Sequence, residues 1–402
     1  LSNRALILAM LSRQPVEIEG LLESEDLLAL RTALVVLGHS LNDVAGRLVV
    51  TPGSRPPDAE IDCHQSGTMA RLMAAALAAT PGRWRLDGAP RLRERPMGPL
   101  ADALRQLGVE VEERGEPGHL PFVIHGRELA GGRAQVDAGA SSQYLSGLLL
   151  AALAARGPME IEATALTSAP YVAVTISAAR QFGAWIEQEG LVFHTRPGFA
   201  PPPRVEIEAD ASSAVYPAAA ALLTAGEVAI QGLPESSLQA DLEAFPLLER
   251  MGAEVDRDAL GRLRVRGGAE LLALDADLSR VPDQVPTFAA LAPFARGTTR
   301  LRGAAHLRIK ESDRLAAMRT ELGKLGATVI EHEDGLEIPG VWADVAPPSE
   351  LVEVDSWDDH RIAMSLALVG LRRSGVIIRD PQVVAKSWPG FWDVLEELIA
   401  QV

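Results

Sequence analysis

Five polar loops carry residue types suited to binding anions. Each enters the N-terminus of an Ala- and Leu-rich helix, at Ser2, Ser66, Ser142, Ser213 and Asp359, where unpaired N–H groups and the helix dipole favour negative charge. Taken singly, these five residues read as N-caps. Caps leave the arginines unexplained. Arg4, Arg71 and Arg361 fall in or near the first turn of such helices, where a cation opposes the dipole by roughly 0.3–1 kcal/mol unless an anion is bound. Further along, Ile309 to Leu315 reads IleLysGluSerAspArgLeu. On a helix, Lys310 and Arg314 would lie one turn apart and repel by about 0.2–0.5 kcal/mol, a penalty that a bound phosphate or carboxylate removes. Glu311 stands between them, placed to trade a proton with a substrate carbon or oxygen. The plainer alternative for this segment is a surface ion-pair helix.

The elements that must position these residues repeat along the chain. Six short strands end in turns: Val16 to Gly20, Arg83 to Gly88, Met159 to Ala163, Val228 to Gly232, Thr299 to Gly303 and Val376 to Asp380. Behind each of the first five comes an amphipathic helix closed by a glycine, then another strand. Those glycines, Gly38, Gly108, Gly183, Gly252 and Gly326, are spaced by 70, 75, 69 and 74 residues, a unit longer than any solenoid repeat. Each of the six strands also follows a helix that is apolar on every side, such as Ser146 to Ala155, which must be buried. Copies two to six show a further opening strand before that helix, ending at Asp62, Asp137, Glu208, Asp277 and Asp355. Copy one begins with Leu1, Ser2, Asn3 and Arg4, so comparison with the other copies places an opening strand and loop of about 15 residues ahead of it. Three copies per half predict two domains, 1–208 and 209–402, divided after the prolines at 201–203, with the polar loops of both facing one cleft.

Composition excludes several classes. At 402 residues, 47% hydrophobic and 23% charged, the chain is that of a folded protein of two or three domains, and no apolar run reaches membrane-spanning length. The apolar segment after Arg4 reads as a helix of the fold, with no small-residue cleavage site behind it. A net charge of -16 disfavours a nucleic-acid binder, although a local basic cleft can still hold a small anion. The single cysteine, Cys63, can form no internal disulfide, which with the lack of zinc-spaced Cys/His clusters fits a reducing, cytoplasmic location.

In combination, these residues resemble a known family, the 5-enolpyruvylshikimate-3-phosphate synthases (3-phosphoshikimate 1-carboxyvinyltransferases). The resemblance runs over nearly the whole chain: Ser2-Asn3-Arg4-Ala5, Gly67-Thr68 with Arg71, Glu94-Arg95-Pro96, Ser141-Ser142-Gln143-Tyr144-Leu145, and Ser168 with Pro170-Tyr171. It continues through Asp210-Ala211-Ser212-Ser213, Pro282-Asp283, Lys310-Glu311-Ser312-Asp313-Arg314, Asp359-His360-Arg361 and Ala385-Lys386-Ser387. The fold it implies is α/β: two similar domains of three βαβαββ units, buried helices surrounded by sheets in an inside-out barrel. The activity it implies is transfer of the enolpyruvyl group of phosphoenolpyruvate to the 5-hydroxyl of shikimate 3-phosphate, with release of phosphate, in aromatic amino-acid (chorismate) biosynthesis. No metal or organic cofactor is implied, and a monomer is expected.

By the same resemblance, Ser2, Arg4, Ser141, Ser142, Gln143, Ser168, Tyr171, Asp283, His306 and Lys310 would hold shikimate 3-phosphate. Gly67, Arg95, Gln143, Arg314, Arg361 and Lys386 would hold phosphoenolpyruvate. Glu311 would serve as acid and base at the methylene carbon and Asp283 as base near the 5-hydroxyl, with His360 assisting. Glycine at Gly67 would admit glyphosate as a phosphoenolpyruvate mimic. The chain departs from the family pattern at four places. His64-Gln65 replaces a glycine-asparagine pair, His306 an asparagine and Ala240 a glycine. The family's glycine-serine-lysine loop, which brings a lysine to phosphoenolpyruvate, would lie ahead of Leu1, and the chain without it is expected to have little activity. Two alternatives remain at this level: a catalytically impaired homologue acting as a binding protein, and the sister transferase acting on UDP-N-acetylglucosamine. The loop cysteine of the latter would fall near Arg91 to Pro96, where none occurs; Cys63 reads as a buried, inert thiol.

Overall fold

The computed structural model describes residues 1–342 and 350–400, divided into two compact units, Leu1–Ile207 and Glu208–Val402. In the first unit, helices Ser2–Leu11, Gly67–Ala78 and Gln143–Ala152 form the interior. All residues but Thr68 of Gly67–Ala78 are buried, as expected of a helix with no polar face. This helix packs against both of the others. Gly147 permits the close approach on one side: a Cβ there would lie 2.8 Å from the Arg71 carbonyl oxygen, so a larger residue would push apart two helices that both carry candidate site residues.

Three four-stranded sheets surround these helices. In each, the strand that follows a buried helix is flanked on one side by a parallel strand and on the other by an antiparallel pair. Asp58–Asp62 pairs in parallel with Gly82–Asp87, and Gly132–Ala138 with Met159–Leu166. The first sheet differs from expectation. The segment ending at Glu208 was expected to open the fourth copy; instead Arg204–Glu206 pairs in parallel with Val16–Glu19 of the first copy, with Val205 opposite Ile18. Val16–Glu19 has its antiparallel partner on one edge only. The returning chain satisfies the other edge, through Glu17 N–H to the Pro203 carbonyl at 3.0 Å and an Arg204–Glu17 ion pair at 3.1 Å. An unpaired backbone edge costs more than a departure from the repeat.

In the second unit, helices Ala211–Thr224, Val285–Leu291 and His360–Gly370 pack on one another. Among the described residues their sheets have three, four and two strands: Glu227–Ile230 with Leu263–Arg266 and Glu254–Arg257; Asp275–Asp277 with Thr298–Arg302, Gly335–Pro339 and Ile330–His332; and Val352–Asp355 parallel to Val376–Arg379. The five closing glycines all have left-handed backbone, with φ of 89°, 79°, 77°, 110° and 87° in chain order, which glycine adopts without the Cβ penalty. Among the described residues, no helix is long and apolar enough to cross a membrane.

Candidate active site

The expected capping pattern holds at only some of the helix starts. Ser66 Oγ accepts from Met69 N–H at 3.3 Å, and Asp359 accepts from Arg361 N–H at 3.0 Å. Ser2 and Ser142 make no side-chain cap, and Asp210 rather than Ser213 caps its helix. Ser2 Oγ instead accepts from Leu22 N–H at 3.1 Å. The hydroxyl has a nearer backbone partner in the loop that follows the first strand, and so leaves the helix.

In the first unit, Arg4 is buried and donates from Nε to Thr175 Oγ1 at 2.6 Å and from Nη2 to the Tyr171 carbonyl at 3.1 Å. Burial lowers its pKa to about 10, against a smaller raising effect from Tyr171, so it remains cationic at neutral pH. Thr175 was not foreseen. It lies 171 residues from Arg4 on helix Pro170–Gln181, a relation that no local pattern reports. A second cluster centres on Gly67. Arg71 donates to Gln143 Oε1 at 3.0 Å and to the Pro96 carbonyl at 3.2 Å, while Gln143 Nε2 donates to Thr68 Oγ1 at 2.9 Å. A Cβ on Gly67 would fall 2.6 Å from Nη1 of Arg71 and 2.6 Å from Nη1 of Arg95. Ser141 accepts from Gln143 N–H at 3.3 Å, Ser142 is buried, and Ser168 has left-handed backbone at φ 55°. Two buried guanidinium groups beside a residue without a side chain make a place where an anion can approach closely.

The loop before Gly67 carries one of the departures. His64 has φ 48°, the left-handed conformation a glycine adopts freely and other residues at a cost of roughly 1–2 kcal/mol. Its N–H is tied to Asp62 Oδ1 at 2.8 Å, and its side chain is exposed. Ala240, by contrast, opens a short 3-10 turn without left-handed backbone, so the exchange of glycine for alanine needs no strain there. Cys63 is fully buried, and burial together with Asp62, Asp26 and Asp87 pushes its thiol well above the usual range. It is held as an unreactive thiol.

In the second unit, the IleLysGluSerAspArgLeu segment is not one helix. Asp313 accepts from Ala316 N–H at 3.1 Å and caps a helix that starts at Arg314 and runs to Lys324. Lys310 precedes it in extended backbone, so the expected helical Lys310–Arg314 repulsion does not arise. Nor is this a surface ion-pair helix. Arg314 is 2% exposed and binds three carboxylates: Asp359 at 2.8 Å, Asp283 at 2.9 Å and Glu311 at 2.9 Å. Glu311 also lies 3.5 Å from Lys386 Nζ. Arg361 donates to Ser212 Oγ at 2.8 Å and lies 3.5 Å from Asp283. Asp359 was foreseen only as a cap; its additional bonds from Arg314 and Ser312 (3.0 Å) make it the anchor of the cluster.

Electrostatics follow from this arrangement. Burial alone would raise Asp283, but Arg361, Lys310 and Arg314 outweigh it and hold the carboxyl well below the usual range. Burial likewise opposes the charge of Arg314, which Asp359, Glu311 and Asp283 more than restore. His360 is buried on the first turn of its helix, and burial, aided by Lys386 and Arg361 against Asp359, lowers it to about 3. At neutral pH it is an uncharged imidazole and no source of a proton through its cationic form. His306 is lowered to about 4 by burial and by Lys310, and among the described residues its buried Nε2 has no hydrogen-bond partner.

A pH dependence follows for these histidines and for His39, which burial and Arg55 lower to about 4. Their folded pKa values lie below the unfolded value of about 6.5, so between roughly pH 6.5 and 4 the unfolded chain binds protons that the folded chain refuses. Stability is then fully present above pH 6.5 and declines as pH falls. Thermal melts across this range should show that decline, and His39→Leu should reduce its slope; identical slopes would exclude a contribution from His39.

Comparison with known proteins adds to the geometry. The family model described as EPSP synthase (3-phosphoshikimate 1-carboxyvinyltransferase) matches residues 1–395. Among curated proteins, the 3-phosphoshikimate 1-carboxyvinyltransferase of Syntrophobacter fumaroxidans is 42% identical over 99% of this chain and 94% of its own length. That of Bordetella parapertussis is 39% identical over 100% and 93%. Among solved structures, EPSP synthase of Acinetobacter baumannii superposes with a TM-score of 0.81 at 28% identity, covering 99% of this chain and 93% of that one. An enolpyruvyl transferase of Streptomyces tendae, at 20% identity and TM-score 0.77 over 98% and 92%, shares the fold.

Proposed function

The chain belongs to the EPSP synthase family, and from that premise we propose how its residues carry out the transfer of the enolpyruvyl group from phosphoenolpyruvate to the 5-hydroxyl of shikimate 3-phosphate. The protein acts as a monomer in the cytoplasm. Arg4, Ser141, Ser142, Ser168, Tyr171, His306 and Lys310 bind shikimate 3-phosphate, with Ser2 supporting the loop beside Arg4. Arg95, Arg314, Arg361 and Lys386 bind the carboxylate and phosphate of phosphoenolpyruvate, Gly67 leaves room for it, and Gln143 contributes to both substrates.

Glu311 gives a proton to the methylene carbon while Asp283 takes one from the 5-hydroxyl, whose oxygen bonds to the adjacent carbon. In the second half, Glu311 takes a proton back from the new methyl group as the bond to phosphate breaks, and Asp283 gives its proton up to the departing phosphate, leaving the enol ether and free phosphate. The depressed affinity of Asp283 for a proton in the free protein follows from Arg361, Lys310 and Arg314. Substrate anions beside those cations would offset their pull and make Asp283 a stronger base when it is needed. His360 acts only as a neutral hydrogen-bonding group.

The observation that carries this reading is the convergence of Arg314 and Lys386 on Glu311 and of Arg314 and Arg361 on Asp283, with separations of 2.9–3.5 Å. These cations surround both candidate proton carriers. The reaction is tested by phosphate release dependent on both substrates, using protein from the full coding sequence. Gly67→Ala should raise the KM for phosphoenolpyruvate about tenfold or more, since a displaced guanidinium loses its alignment, with the KM for shikimate 3-phosphate changed less than twofold. Equal changes in both would overturn the assignment of Gly67, and phosphate release without shikimate 3-phosphate would overturn the transferase reading.

A further inference from the structure

The loop that delivers Asp359, His360 and Arg361 is held by a buried carboxylate outside the catalytic set. Glu321 lies on helix Arg314–Lys324, with its side chain 1% exposed. Its Oε1 accepts from Trp357 Nε1–H at 2.7 Å, and its Oε2 accepts from Asp355 N–H at 2.9 Å and from Lys324 Nζ at 2.7 Å. Between these attachment points and Asp359, the backbone takes two consecutive left-handed residues, Trp357 at φ 56° and Asp358 at φ 52°. Neither is a glycine, and such a conformation persists only where surrounding contacts over-determine it.

The same helix supplies both contacts. Arg314, at its start, grips Asp359 at 2.8 Å. Glu321 follows seven residues later, about two helical turns on and therefore on the same face. The two side chains hold opposite ends of the loop from Asp355 to Asp359, and a rigid helix fixes the distance between them.

We infer that Glu321 is a positioning residue for the reaction, holding the strained Trp357–Asp358 turn so that Asp359 stays on Arg314 and Arg361 is aligned on phosphoenolpyruvate. This rests on the proposed role of Arg361. Glu321 touches no substrate. It acts through the loop, and its removal lets the two left-handed residues relax and carry Arg361 out of line.

The test compares Glu321→Gln and Trp357→Phe with the wild type at a temperature well below all three melting points. Glutamine offers one acceptor oxygen and turns an N–H₂ group toward the second donor, whereas phenylalanine keeps most of the ring and loses only the Nε1 donor. Expected for Glu321→Gln is a roughly 10- to 100-fold fall in kcat/KM for phosphoenolpyruvate, the scale of a misaligned reacting pair. The dissociation constant of shikimate 3-phosphate should stay within twofold. Trp357→Phe should show a smaller loss of the same kind. A lower melting temperature with unchanged kinetics for phosphoenolpyruvate would overturn the proposal, as would equal weakening of both substrates. If Glu321→Gln does not fold, Trp357→Phe decides by the same criteria. Arg361→Ala serves as the control: a normal KM for phosphoenolpyruvate in that variant would locate the failure in the reading of Arg361 rather than in the clamp.

Discussion

Arg314→Ala is expected to destabilise the protein by about 3–5 kcal/mol, the cost of leaving buried charge without its partner. The side chain is 2% exposed, and Asp359, which it meets at 2.8 Å, is 0% exposed; Glu311 and Asp283 are 11% and 22% exposed. Removing the guanidinium takes its cation from Asp359 and leaves Glu311 and Asp283 to lean on Lys386 and Arg361, each 3.5 Å away. A loss of that size is a large part of the 5–15 kcal/mol that holds a typical domain together. Arg314→Lys should recover only part of it, because a single ammonium cannot reproduce a fork that reaches three acceptors. The destabilisation of the alanine variant should also be smaller near pH 4 than at pH 7. Carboxylates deprived of their cation take up protons more readily, so acid relieves the repulsion that the substitution creates. Urea titrations of wild type and variants at the two pH values measure both effects. An alanine variant within about 1 kcal/mol of wild type at pH 7 would mean that solvent rather than Arg314 compensates these carboxylates.

Glu311→Gln is expected to lower kcat by about 10²–10⁴-fold, the usual range for loss of a positioned acid or base, with melting temperature and substrate affinities nearly preserved. Glutamine keeps the length and one acceptor oxygen for Arg314, which meets Glu311 at 2.9 Å, and removes the ionisable carboxyl that gives and takes the proton. The variant therefore separates proton transfer from assembly of the site. Steady-state phosphate release gives the magnitude. Incorporation of solvent deuterium into the methylene group of phosphoenolpyruvate gives the step, since reversible protonation there depends on the same carboxyl group. A kcat within tenfold of wild type, or undiminished deuterium incorporation, would remove Glu311 from that role and leave it as a partner of Arg314 and Lys386.

Much of this molecule could be read from its residues. Helices apolar on all sides had to be buried, and Gly67–Ala78 is. Closing glycines at regular spacing marked the repeat, and all five take left-handed backbone. These inferences succeed because helix periodicity, capping and backbone conformation depend on neighbours a few residues away. The Lys310–Arg314 expectation failed within that same range, because the Asp313 cap won over helix propensity and began the helix only at Arg314.

Partners far apart in the chain were decided by the tertiary structure alone. Arg4 meets Thr175 across 171 residues, Glu321 meets Trp357 across 36, and Arg204–Glu206 completes the sheet of the first copy rather than opening the fourth. A buried cation or an open strand edge states in the sequence that it needs a partner. Which of several chemically suitable segments fills that need depends on where the folded chain returns, and that is settled by packing the whole unit.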